Sequence, residues 1–335
     1  FSETFTWSSP GFDLNDMGYM KETDYLMNET EIMYRQTDIW KIFRYNAFTL
    51  SQKNMWNYGG TPFSNNASLR WQSMTMNRYE WDVKETFAWN WLDSRLLRGG
   101  PDVRFGSYFL TSAKFNTDKA KRMMFMLKYE GDHNFEGNRF NTISPSLTFR
   151  LGNHVYLSGQ LDYAWNTDEM QYVATTSPLS SSSLAPYYYV MGHMDQKTYG
   201  LTLKLQVNVT PDISIQFYGA PFTSIAKYDD FKLAADTKSH TFENRFQRID
   251  PDQLTYADGV YTIGEGAGQM PFRNPDFRFN EFRSNLVARW EYLPGSTLYF
   301  VWEHRMSNRD NWYSSGWGSN LDRMWGLPAT NTFMI

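Results

Sequence analysis

Between residues 78 and 92 the side chains change character at nearly every position. Tyr79, Trp81, Val83, Phe87, Trp89 and Trp91 alternate with Arg78, Glu80, Asp82, Lys84, Thr86 and Asn90. A period of two predicts a β-strand whose faces meet different media. At about 3.3 Å per residue, the stretch from Tyr79 to Trp91 makes ~40 Å of strand. Tilted by about 45°, that strand climbs roughly 28 Å, close to the ~25 Å apolar band of an outer-membrane barrel with aromatic girdles at both interfaces. Tyr79, Trp81, Trp89 and Trp91 are therefore read as lipid-facing girdle residues. Glu85 is the exception on the apolar face, and it predicts either a bulge or a covering partner.

The alternation recurs. Tyr199, Leu201, Leu203, Leu205 and Val207 oppose Thr198, Gly200, Thr202, Lys204 and Gln206. Val155, Leu157, Gly159, Leu161, Tyr163 and Trp165 oppose Tyr156, Ser158, Gln160 and Asp162. Phe282, Leu286, Ala288 and Trp290 oppose Arg283, Asn285, Arg289 and Glu291. Short connectors at 36–38, 76–78, 116–121, 152–153, 210–212 and 294–296 carry the Gly, Pro, Asn and Asp of tight turns. Long ones are expected at 8–23, 54–66, 93–102, 131–139, 166–197, 221–278 and 307–330. Short turns on one side and long loops on the other predict a transmembrane antiparallel up-and-down β-barrel. About fourteen strands fit, as one segment over 1–335 of a larger barrel, with a long outer loop at 221–278.

Composition sharpens this reading. Of 335 residues, 13 are Trp, 22 Tyr and 25 Phe. Mean hydropathy is nevertheless −0.59, as expected when every second residue faces water. No apolar run approaches the ~20 residues of a spanning helix. The chain has no Cys, which excludes disulfides and thiolate metal sites, and its net charge of −4 gives no basic stripe for nucleic acid.

Four motifs stand in order: 11-GFDLNDMGYM-20, 97-LRGGP-101, 168-DEMQYV-173, and a run from 274-NPDF-277 through 282-FRSN-285 to 289-RWEYLPGSTL-298. Together they resemble a Bacteroidota outer-membrane β-barrel family of unknown function. Its members carry an N-terminal domain similar to carbohydrate-binding module family 9. The resemblance implies the outer membrane of a Gram-negative bacterium as location. That N-terminal domain and the early strands are missing here, and the chain stops within what resembles the family's final strand. The segment is accordingly expected to be truncated at both ends, its wall completed by upstream strands of the same polypeptide. Other expected partners are outer-membrane lipid and a membrane-protein or lipoprotein partner. The hydrolase label sometimes given to the family has no supporting motif in this chain.

Candidate chemistry is sparse. Arg98, Gly99 and Gly100 could form an anion-binding nest, or a loop that needs permissive backbone before a Pro. Trp312, Tyr313 and Trp317 could stack on sugar rings or meet a partner. The histidines are scattered, and only His193 stands near an acid, Asp195. Asp229-Asp230 and Asp250-Pro251-Asp252 do not fit the spacing of a calcium loop. Charges on the polar face are of mixed sign, which fits a filled wall better than a selective ring. The expected function is a non-enzymatic outer-membrane barrel acting as pore, transporter, or anchor and scaffold of a surface complex, with no cofactor. The alternative is a barrel-anchored enzyme or glycan-binding protein acting on surface lipid or carbohydrate.

Overall fold

In the computed structural model, residues 1–13, 23–89, 91–179, 186–310 and 317–335 are described. Fourteen strands follow one another as an antiparallel meander. They are β1 (Ser2–Ser8), β2 (Tyr25–Gln36), β3 (Phe43–Trp56), β4 (Pro62–Thr75), β5 (Glu80–Trp89), β8 (Tyr108–Asn116), β9 (Met123–Asn134), β10 (Arg139–Leu151), β11 (Val155–Thr176), β12 (Tyr188–Asn208), β13 (Ile213–Ala234), β18 (Phe277–Leu293), β19 (Ser296–Asp310) and β20 (Ala329–Met334). The short β14 (Phe246–Arg248) adds to the upper end of β13. Two small sheets lie apart: β6 (Trp91–Asp93) with β7 (Val103–Phe105), and β15 (Leu254–Ala257), β16 (Val260–Ile263) and β17 (Met270–Arg273). Helices α1 (Phe242–Arg245) and α2 (Trp317–Trp325) complete the elements. No pairing joins β1 to β20 among the described residues, so the large sheet is open at both edges.

The register keeps the two faces separate across the sheet. Phe149 pairs with Leu157, Leu157 with Leu205, Leu205 with Phe217, Phe217 with Leu286 and Leu286 with Trp302. This places one apolar residue per strand in a continuous lateral row. Many of these side chains remain solvent-accessible, Leu50 and Leu69 by more than half (54% and 56%). The opposite face is polar and internally bonded. Arg70 holds Asp82 (Nε to Oδ1, 2.8 Å), Ser51 meets Ser68 at 2.7 Å, and Ser144 donates to Asp162 at 2.6 Å. Small buried polar residues such as Ser68 and Thr49 let neighbouring strands pack closely on this face.

The all-β antiparallel expectation holds, and several expected loops are corrected. β3 and β4 are joined by residues 57–61 alone, and β9 and β10 by 135–138. Most of 166–197 is strand, because β11 and β12 continue well past their neighbours. The expected long loop 221–278 contains the upper part of β13, then α1, β14 and the three-stranded sheet. Region 307–330 contains α2, and 93–102 begins in β6.

The physical reason is that short runs near the upper ends of β12 (190–192) and β13 (231–233) are buried on both faces, which erases the alternation there. Adjacent Val190 and Met191 are both fully buried, and each belongs to a different core. Register shifts at Asp168/Gln171, Tyr172/Ala174 and Met191/His193 then change the phase. One core gathers Val190, Met194, Tyr228, Phe231, Leu233, Ile263 and Phe272 beneath the three-stranded sheet. The other gathers Leu97, Val103, Met170, Met191 and Phe246. Together they make a packed head on the long-loop side of the sheet.

Candidate functional site

β5 runs without a register shift against both β4 and β8. Glu85 therefore stays on the apolar face in register with Leu69, and the bulge is excluded. Its carboxylate accepts a hydrogen bond from the Thr111 hydroxyl at 2.7 Å. Of the expected girdle, Trp81 and Trp89 belong to β5 and share this face, while Tyr79 sits just before the strand with its ring edge-on to Phe115. Trp91 leaves the row. It opens β6 and stacks on Phe105 (5.1 Å) and near Tyr108 (5.4 Å).

Residues 97–101 form a structural plug. Leu97 is 1% exposed in the second core. Arg98 lies with its guanidinium 4.5 Å from the Tyr172 ring centre. The amides of Arg98 and Gly100 donate to the carbonyls of Arg95 and Leu97, so two donors of the expected anion nest are taken. A Cβ on Gly100 would come within 2.6 Å of the Tyr189 ring and 2.7 Å of Leu97. Gly100→Ala should therefore destabilise the head by about 1–3 kcal/mol through overpacking. Gly268→Ala, where a Cβ meets open space, should stay within ~0.5 kcal/mol. Equilibrium unfolding of the two variants is the check.

Beside the plug, the irregular pairing of β11–β13 assembles charge. His193 bonds Glu169 through Nδ1 at 3.0 Å and faces Asp195 through Nε2 at 3.5 Å. Lys232, 1% exposed, reaches Asp230 at 3.3 Å and Glu169 at 3.9 Å. Partial burial disfavours the imidazolium, but Glu169, Asp195 and Asp229 outweigh it and hold His193 above its ordinary value. Its ion pairing thus contributes stability that is fully present below pH ~6.5 and is lost as pH rises through the folded value. In carbon-13 histidine spectra, His193 should titrate above 6.5, and Glu169→Gln should lower it. A midpoint below 6.5 that ignores the substitution would contradict the assignment.

Further acids lie nearby. Burial raises Asp168, although the Met170 amide donates to it at 2.9 Å, and burial also raises Asp132 and Asp276. Tyr228 is pushed up to about 12, by burial first and then by Asp168 and Asp276. Across the head, Arg245 is fully buried and paired with Glu136, and it also donates to the Arg104 carbonyl. Arg104 Nε bonds the Lys238 carbonyl at 2.9 Å, and Thr237 bonds that of Asp102 at 2.7 Å. These contacts tie together the β9–β10 turn, β7 and the segment before α1.

A cavity of about 310 Å³ opens beside Trp91, lined by Asp24, Asn57, Arg95 and Asp102 among others. Its polar groups serve the loops: Asp24 accepts from the Tyr58 amide, Asn57 from that of Thr61, and Asp102 pairs with Lys238 at 2.9 Å. Asp93, also on its wall, caps the amides of Arg95 and Leu96. No group of three or more His, Asp or Glu among the described residues could hold a metal. Trp312 and Tyr313 lie outside the described residues, and Trp317 is the first residue of α2.

Comparison with known proteins gives one match. The domain of unknown function DUF5916 covers residues 1–335. The chain belongs to this family. No curated protein and no solved structure matches. As a member of an uncharacterised family, the chain takes no activity from its relatives, and its own geometry has to carry the functional argument. The pairings Glu136–Arg245 and Glu169–Lys232 were missed in the sequence because each joins residues more than sixty positions apart. Only the proximity of His193 to Asp195 was visible.

Proposed function

We propose that the chain is wall of an outer-membrane β-barrel in a Gram-negative bacterium, and that it serves as a membrane anchor and scaffold for the packed head. One observation carries the reading: an accessible apolar row that crosses strand after strand opposite a bonded polar face. A monomer in water rarely exposes a contiguous apolar patch beyond roughly a few hundred Å². From Tyr79 to Trp89 the outward row of β5 measures ~33 Å, or roughly 23 Å of height at a 45° tilt, against a ~25 Å apolar band. The polar face is then the interior, filled by mixed charges and hydroxyls.

Both open edges, β1 and β20, need partners in hydrocarbon, where each unsatisfied backbone group costs several kcal/mol. Further strands of the natural polypeptide are the proposed closure. The reading is non-enzymatic. Among the described residues, His193 is held between Glu169 and Asp195 and is read as part of a structural ion-pair set. The test is fractionation of cells making the natural polypeptide, followed by alkaline carbonate washing of the membranes. Retention in the washed outer membrane is expected. Recovery as detergent-independent protein would overturn the reading.

A further inference from the structure

Helix α2 rests on the apolar side of the sheet. Phe282, on the same face as Leu286 and Trp290, meets the Trp325 ring edge-on at 4.9 Å. Met306, which pairs with Phe282, and Met324 are both buried there (5% and 1% exposed). At the far side of the contact, fully buried Arg278 is ion-paired with Asp310 and donates to Asn320 at 3.4 Å. α2 is thus fixed to β18 and β19 by apolar packing at its C-terminal end and by the hydrogen bond from Arg278 to Asn320.

Its level on the wall is informative. Towards the short turns, the outward residues of these two strands are Leu286, Ala288, Trp290, Leu298, Phe300 and Trp302. Towards the long loops they become Arg278, Asn280, Asn308 and Asp310. α2 lies where apolar gives way to polar. Trp325, at its C-terminal end, remains 56% exposed beside Phe282, in continuity with the apolar rows. An indole has an apolar body and one N–H, so a half-exposed Trp at such a boundary suits the zone where acyl chains meet headgroups.

We propose that α2 is an in-plane interfacial helix that docks the outside of the wall onto the lipid surface of the outer leaflet, with Trp325 inserted at the headgroup–acyl boundary. The proposal rests on the membrane reading above. In doing so α2 would shield the upper part of β19 and set the depth of edge strand β20, which starts three residues after Gly326.

Residues 1–335 contain no Cys, so once any Cys elsewhere in the natural polypeptide is replaced by Ser, single spin labels report without background. In the natural polypeptide reconstituted in phosphatidylcholine–phosphatidylglycerol vesicles, collision with oxygen and with a water-soluble nickel chelate gives the depth of each label. Labels at Trp325→Cys and Gly326→Cys should lie within about 5–10 Å of the headgroup boundary, on its acyl side. The second variant keeps Trp325, and its new Cβ meets nothing closer than the Arg323 carbonyl at 3.5 Å, so it stands in if the first fails to fold. A label at Leu203→Cys reports the wall itself. Nickel-accessible labels at 325 and 326 with a lipid-buried label at 203 would overturn the inference and leave the wall reading intact. Nickel access at all three would overturn both.

Discussion

Replacing Glu136 by alanine should loosen the head more than any other single truncation considered. The carboxylate partners a guanidinium with 0% exposed side chain, and the same arginine also holds the Arg104 carbonyl. Removing one member of such a pair leaves a buried charge uncompensated, which costs about 3–5 kcal/mol. Arg245 lies 5.2 Å from the Phe242 ring and immediately precedes Phe246 of the second core, so relaxing it towards water would also disturb that core. Hydrogen exchange should therefore rise sharply at Arg104, whose amide donates to Thr237, and at Ala235, whose amide donates to Arg245. Amides in the lower half of β12 should be unchanged, because their partners lie on the wall. Uniform exchange in variant and parent would show that the pair does not brace the head.

The second large effect is expected on the wall. Val83→Lys places an ammonium on the apolar row of β5 near mid-span and should cost about 2–4 kcal/mol in lipid vesicles. Trp89→Lys, near the end of the same strand, should cost on the order of 0–1 kcal/mol, because the long side chain can reach water. The two sites share a strand and a face, so the difference isolates depth. Equal costs would mean that this face does not meet a bilayer.

The lower part of the sheet was legible because one of its faces is apolar and the other polar. Leu201, Leu203 and Leu205 alternate with Thr202, Lys204 and Gln206, and the structure pairs them as that alternation requires. Strand number followed from the same pattern and from turns such as Pro294-Gly295, where Gly295 adopts φ +81°. The head was not legible. Where β12 is covered on both sides, Val190 and Met191 are equally apolar, and the alternation that marks a half-wet strand disappears. The expected outer loop at 221–278 hid the three strands β15–β17, whose sheet roofs a core.

Site residues follow the same division. That Trp81 and Trp89 share one face of β5 follows from local period, whereas the packing of Trp91 on Phe105 does not. The charged set of Glu136, Glu169, Lys232, Arg245 and His193 is assembled by long-range pairing that local spacing does not encode. The 97–101 motif is intermediate. Its need for Gly was visible, but the cause, the Tyr189 ring against Gly100, comes from a distant strand, β12.

The central claim is that one face of the sheet meets lipid and the other meets water. A cysteine scan through residues 201–206 of β12 in reconstituted natural polypeptide tests it most directly. Spin labels at 201, 203 and 205 should collide preferentially with oxygen, and those at 202, 204 and 206 with the nickel chelate, in strict alternation. Nickel access at all six positions, or no period of two, would contradict the account.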